Sequence, residues 1–285
     1  MKTSNLKYIF AFFIILFFTL VCIYIALNHN SYDSDADSEQ NIAPITLANP
    51  SEHILSGLVH YWPFDEEHGD IIYDVISGKN GKLFGTKRAA GISGFAIILD
   101  GIDDYATLPE NNPVWLPEND FTVSVWVFFK ADPNPANKMI LDLNYSRTNE
   151  LGYNILYTNR ATAFQLHTIS KVNEDLYSNF IIPPNQWHNI TNVRKGDEQA
   201  MYIDGKLNAT RKCLPDPIRF VDNYDDNKVN IGRYTTVLAQ PRYFFKGKID
   251  ELKIYDRALS PDEINQVYNS GYQKLMEDFA KDSFR

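Results

Sequence analysis

Cysteine is nearly absent from this chain of 285 residues: only Cys22 and Cys213 occur, and Cys22 lies inside an apolar N-terminal run. That placement excludes a pair between them in one chain, so no disulfide framework holds the fold. Clustered basic residues are missing too. With a formal net charge of −9 and no Lys/Arg-rich stretch, the chain lacks the surface that phosphate backbones require, which excludes nucleic acid as a partner. There is no nucleophile motif and no zinc-ligand spacing. Between Lys7 and Lys79 no Lys or Arg occurs at all.

What is present begins with Tyr8 to Leu27, twenty residues without a charge. As a helix rising ~1.5 Å per residue, this run spans the ~30 Å hydrocarbon layer. Lys2 and Lys7 precede it, while Asp33, Asp35, Asp37 and Glu39 follow. The positive-inside rule then puts residues 1–7 in the cytoplasm, residues 8–27 in the membrane as a signal anchor, and the remainder outside. A cleaved signal peptide is the competing reading. It fits less well, because the run is long and Tyr24-Ile25-Ala26 is not a small-x-small site. Residues 28–53 are acidic and aperiodic, as in a flexible stalk.

From residue 54 onward the pattern is that of strands and turns. Phe121, Val123, Val125, Val127 and Phe129 alternate with their neighbours, so they share one face of a strand. Further strand patterns run through Leu58–Trp62, Phe95–Leu99, Tyr105–Leu108, Met139–Leu143, Tyr153–Tyr157, Ala163–Ile169, Trp187–Val193, Ala200–Ile203, Val229–Ile231 and Lys248–Tyr255. Asp100-Gly101 and Asp204-Gly205 each predict a tight hairpin. Trp62, Trp126 and Trp187 fall in strand patterns and are expected in the core. His60 and His188 also fall in strands and read as packed or surface residues. Ser260-Pro261-Asp262-Glu263 predicts a helix start, with Ser260 as N-cap, and the spacing of Tyr272, Leu275, Met276 and Phe279 predicts a helical tail over 272–285. Many short strands without intervening helices mean an all-β sandwich or barrel over 54–271, and the inward-outward alternation suits two packed antiparallel sheets.

Taken in order, several segments resemble the laminin G-like jelly-roll family of the concanavalin A-like lectin/glucanase superfamily. Gly57-Leu-Val-His-Tyr-Trp-Pro-Phe-Asp65-Glu66 is similar to its first strand, and Asp74 through Gly81 to its next turn. Leu99-Asp-Gly-Ile-Asp-Asp-Tyr105 resembles its F-D-G-x-D-D-Y hairpin, with Leu99 in place of Phe. Phe121-Thr-Val-Ser-Val-Trp-Val127 resembles F-T-x-S-x-W-V. Pro184-Asn-Gln-Trp-His188, Tyr202-Ile-Asp-Gly205 and Phe245 through Tyr255 followed by Arg257-Ala-Leu-Ser260 complete the series.

The resemblance implies a jelly-roll sandwich that binds a glycan or an extracellular protein. It also implies one structural calcium ion, with Asp65, Asp74 and Asp250 as its ligands, since calcium takes hard oxygen donors. Capping of turns is the other reading of those three carboxylates. The superfamily contains glycosidases, which need two carboxylates facing one cleft. The local pair Asp250-Glu251 should point to opposite strand faces, and the Glu-x-Asp-x-x-Glu strand of the related glucanases is missing, so no enzyme is expected. Trp115, in the loop-like Asn111–Glu118, is the candidate for sugar stacking, with Arg233-Tyr234 and Arg242-Tyr243-Phe244 near turns at a rim. A structural or adhesive module without sugar binding stays open as the alternative, and a degraded or atypical glycosidase as the third reading. Sequons occur at Asn144, Asn189 and Asn208.

Overall fold

The computed structural model describes residues 54–108, 119–131, 137–144, 152–158, 161–168, 171–218, 229–236 and 239–271. All lie in one compact unit, Ala48–Arg285. The expected anchor (8–27), the stalk, Trp115 and the tail over 272–285 lie outside the described residues. No helix among the described residues is long and apolar enough to cross a membrane.

Two antiparallel sheets face each other. The first runs β14 (Lys206–Lys212), β13 (Glu198–Ile203), β12 (Trp187–Lys195), β7 (Phe121–Phe129), β18 (Lys246–Tyr255), β5 (Phe95–Asp100) and β4 (Lys87–Ala90), with β1 (Leu58–Trp62) also on β18. The second runs β11 (Lys171–Tyr177), β10 (Ala161–Thr168), β9 (Gly152–Thr158), β8 (Lys138–Asn144), β15 (Asn230–Ile231), β6 (Tyr105–Thr107), β3 (Gly81–Phe84) and β2 (Ile71–Ile72). A short hairpin joins β16 (Tyr234–Thr236) to β17 (Ala239–Arg242). The all-β, two-sheet expectation therefore holds.

The alternating face of β7 does what its pattern predicts. Phe121, Val123, Val125, Val127 and Phe129 enter the core with Trp62, Ile97, Tyr153, Phe164, Ile190, Met201 and Ile254. Phe121 stacks on Tyr153 at 4.4 Å between ring centroids. The Asp204-Gly205 hairpin forms as expected: both residues have positive φ, 52° and 74°, and Ile203 pairs with Lys206.

The helix also starts where its cap predicts. In α1 (261–271) the Ser260 N–H donates to Glu263 Oε2 at 2.8 Å, and the Glu263 N–H donates to Ser260 Oγ at 3.3 Å. Ile264 and Val267 carry α1 onto the outer face of the first sheet, against Val193, Tyr202, Tyr255 and Leu259.

Two expectations need correction. Asp100-Gly101 does not close a hairpin, because β5 belongs to the first sheet and β6 to the second. Asp100 Oδ1 accepts the N–H groups of Ile102 and Asp103, and Asp104 Oδ2 accepts that of Asp100. These side-chain bonds build a turn that carries the chain between sheets. The second correction concerns Trp187. Trp62 and Trp126 are buried as expected, Trp126 on the outer side of the first sheet, stacked on Tyr268 of α1 at 5.4 Å. Trp187 is half-exposed on the same outer face. Since Val125 and Val127 face inward, Trp126 and Phe128 must face outward, and Trp187 pairs with Phe128.

Candidate functional site

Among the described residues, the outer face of the first sheet is only half covered. Over the Tyr255 end of β18 lies α1. Over the Lys246 end the strands present one cross-strand row: Lys87, Ile98, Lys248, Phe128 and Trp187, each directly opposite the next. Residues opposite each other across a ladder share a face, so five strands deliver these side chains to one surface. A groove of about 680 Å³ opens there, with Lys87, Ile98, Phe128 and Lys248 in its wall beside Asp100, Asp104, Lys130 and Lys246. Trp187 adjoins the groove, edge to face against Phe128 at 5.8 Å. The Lys248 ammonium lies 5.5 Å from the Phe128 ring centroid and 5.9 Å from that of Trp187, and donates to the Ala90 carbonyl at 2.9 Å. At the far end, burial and the nearby Asp100 carboxylate raise the Asp104 pKa, and Lys87 opposes the rise.

The carboxylates expected to bind calcium divide into two groups. Asp65 and Asp250 converge on the turn over residues 91–95. Asp250 Oδ2 accepts the N–H groups of Ile92 at 2.8 Å and Ser93 at 3.3 Å, and Asp65 Oδ1 accepts that of Phe95 at 2.9 Å. Glycine is required in that turn: a Cβ on Gly94 would stand 2.1 Å from Asp65 Oδ1, and one on Gly91 would stand 2.3 Å from Asp250 Oδ2. Burial, then the neighbouring Glu251 carboxylate, pushes the Asp250 pKa well up.

Asp74 is elsewhere employed. Its Oδ2 meets His60 Nδ1 at 2.7 Å and the Ser77 hydroxyl, and its Oδ1 accepts the N–H groups of Tyr61, Ile76 and Ser77. Burial works to raise its pKa, but those donors outweigh it and hold the group at about 2. The expected set of three therefore does not assemble on one point: Asp74 is the turn-capping residue, and His60 is packed over it. Among the described residues the one three-carboxylate cluster with metal-ligand spacing is Asp100, Asp103 and Asp104. Two of these already accept the backbone bonds of their own turn.

Asp250 and Glu251 do not point to opposite faces. Ile249 and Leu252 are both in the core, so two residues stand between inward positions where alternation allows one. The register of β18 on β7 shifts between Asp250 and Lys253, and Glu251 has φ 54°. A bulge turns both side chains outward. Neither is open to a substrate. Asp250 is fully buried, and Glu251 accepts the Tyr61 hydroxyl at 2.8 Å and pairs with Lys253. Burial and the Glu251 carboxylate drive the Tyr61 phenol pKa strongly upward.

The sequon at Asn189 is closed: Asn189 is fully buried, its Nδ2 donating to Ser124 Oγ at 3.1 Å. Asn208 accepts the Asn179 N–H, and the Asn144 side chain lies outside the described residues. His188 is packed, with Nδ1 on Asp204 at 2.8 Å and Nε2 on the Pro183 carbonyl at 3.1 Å. At the expected rim, Arg233 lies over the Tyr105 ring at 3.3 Å, and Arg242 approaches Tyr243 at 4.9 Å. None of these residues is in the wall of the groove.

The chain matches the family model of the concanavalin A-like lectin/glucanases superfamily, laminin G type, over residues 100–265. Among curated proteins no sequence matches it. Among solved structures, the binding domain of botulinum neurotoxin serotype D is similar at 18% identity, with a TM-score of 0.60 over 78% of this chain and 53% of that one. The binding domain of Paraclostridial Mosquitocidal Protein 1 is similar at 17% identity and a TM-score of 0.59, over 75% of this chain and 52% of that one. The serotype D ligand binding domain in complex with N-acetylneuraminic acid gives 16% identity and a TM-score of 0.59, over 78% and 53%. The chain thus spans about half the length of these structures, and the likeness is one of fold.

Proposed function

Since this chain belongs to the concanavalin A-like lectin/glucanases superfamily through residues 100–265, we propose that it is a non-catalytic module that binds a glycan through the open half of the first sheet's outer face. The observation that carries the reading is the half-exposed aromatic pair Phe128 and Trp187, set beside a largely apolar groove bordered by Lys87, Lys130, Lys246 and Lys248. Sugar sites combine an aromatic platform with convergent polar groups, and strand-borne side chains hold such a platform still. Two of the similar structures are called binding domains, and a third is called a ligand binding domain and holds a sugar acid, which supports the reading by analogy of fold. A non-catalytic role is supported by the engagement of Asp250 and Glu251 with protein donors.

In this proposal the domain is displayed outside the cell behind an anchor over residues 8–27, with residues 1–7 in the cytoplasm. Protease added to intact cells should then degrade the domain and leave the anchor. A calcium ion is retained in the proposal only at the Asp65–Asp250 pair. Two carboxylates supply part of the six to eight oxygens such an ion takes, and its role there would be to hold the turn over residues 91–95.

A second reading has its own support. Ile71, Tyr73, Val75 and Ile76 are exposed apolar residues on or just after the edge strand β2, a surface suited to a protein partner. A glycan-array screen of the full chain in detergent micelles, with calcium and with chelator, separates the two. Selective glycan binding that falls in Trp187→Ala supports the lectin. Binding that falls in Trp115→Ala instead moves the site to the loop. A folded sample that binds no glycan leaves the protein-interaction module in its place.

A further inference from the structure

The charge of the groove narrows its ligand. Four lysines border it, Lys87, Lys130, Lys246 and Lys248, in a chain whose formal net charge is −9. Its two carboxylates, Asp100 and Asp104, already accept the backbone N–H groups that build the turn at 100–104. Lys82, Lys212 and Lys253 each pair with a carboxylate, but Lys87, Lys130 and Lys246 form no ion pair with any described residue. Ammonium groups left unpaired around a concave surface concentrate positive potential there.

Resting on the glycan reading above, the geometry points to an acidic saccharide, one bearing a carboxylate or a sulfate, as the ligand class of this groove. Its acid group would lie among Lys87, Lys130 and Lys246, and the apolar face of a sugar ring would lie on Phe128 and Trp187. Lys248 holds the two halves together. Its stem stands in the row between Ile98 and Phe128, and its ammonium is held over both rings. A neutral sugar would leave Lys87, Lys130 and Lys246 with no ion-pair partner among the described residues. An acidic one gains charge-assisted hydrogen bonds, which are stronger than neutral ones.

The test uses the full chain in detergent micelles on an array carrying the same saccharide cores in neutral, carboxylated and sulfated forms. The expected result is binding of an acidic form about tenfold tighter than its neutral parent, weakening as salt is raised from about 0.05 M to about 0.5 M. Lys130→Gln/Lys246→Gln, and separately Lys87→Gln, should remove that preference while leaving residual binding of the shared core. The carboxylated and sulfated arms identify which acid is read. Equal binding of neutral and acidic forms, unchanged in the lysine variants, overturns the acidic assignment and leaves the glycan reading standing. A preference for acidic forms that persists in both lysine variants overturns the placement in this groove. A chain with unaltered circular dichroism that binds no core in any form overturns both readings.

Discussion

Replacing Glu263 with Gln removes one charge from the junction that keeps α1 on the first sheet. Glu263 accepts two bonds from the Arg257 guanidinium, at 2.7 and 3.0 Å, and one from the Ser260 N–H. The Arg257 bonds, with the Ser260 bond in support, hold its pKa at about 2 against an ordinary 4.5. At ~1.4 kcal/mol per pH unit that gap is worth about 3 kcal/mol, which solvent screening of a partly exposed pair reduces to about 1–2 kcal/mol. The sign follows from the depressed pKa. The stabilisation is complete above the unfolded value of 4.5 and is lost as pH falls through about 2. Glu263→Gln should therefore cost about 1–2 kcal/mol at neutral pH, and the gap to the parent should close as pH approaches about 2. Urea titrations of both proteins, followed by tryptophan fluorescence because Trp126 stacks on Tyr268, measure that gap at each pH. A difference that stays constant from neutral to acid would show that the loss comes from packing rather than charge, and the argument from Arg257 would fail.

Trp187→Ala should cost little stability, about 1 kcal/mol, because the ring is half-exposed and outside the core. A thermal melt near that of the parent, together with lost glycan binding, is the expected pair of results. Gly94→Ala should destabilise by about 2 kcal/mol or more, since φ is 57° and the new Cβ would stand 2.1 Å from Asp65 Oδ1; a melting temperature unchanged from the parent would refute this. If calcium sits at the Asp65–Asp250 pair, chelator should lower the melting temperature of the parent and leave Asp65→Asn unaffected. Cys213, buried and with its thiol pKa raised by that burial, should react with a thiol reagent far more slowly in the native protein than in urea.

Much of the sandwich was legible because alternation and turn chemistry are local. The inward face of β7, the Asp204-Gly205 hairpin and the Ser260–Glu263 cap were all written in contiguous residues. The same β7 pattern also implied that Trp126 and Phe128 face outward, and pairing with Phe128 then carries Trp187 to that face. The alternation of β12 alone does not distinguish a core Trp187 from one half-exposed on the outer face. Asp100-Gly101 misled because a tight hairpin and an intersheet turn share the same residues, and only the partners of β5 and β6 tell them apart. The bulge at Asp250–Glu251 depends on β18 changing partners, which no local pattern announces. The lysine groove was illegible for the same reason: Lys87, Lys130 and Lys246 are distant in sequence and meet only through strand order.

The position of β18 also governs when this domain becomes a domain. Its Lys246–Ile249 half pairs with β5, and its Leu252–Tyr255 half pairs with β1, so Tyr255 meets Leu58 across nearly the whole fold. Closing a loop of that length costs about 5 kcal/mol of chain entropy before any contact repays it. Until β18 has been made, β1 has no ladder partner, and β7 and β5 lack the strand that joins them. Ladders between sequence neighbours, such as β8–β9–β10–β11 and β12–β13–β14, need no later strand, whereas the first sheet closes only when β18 arrives. Folding should accordingly be slow, in the range of non-local β proteins.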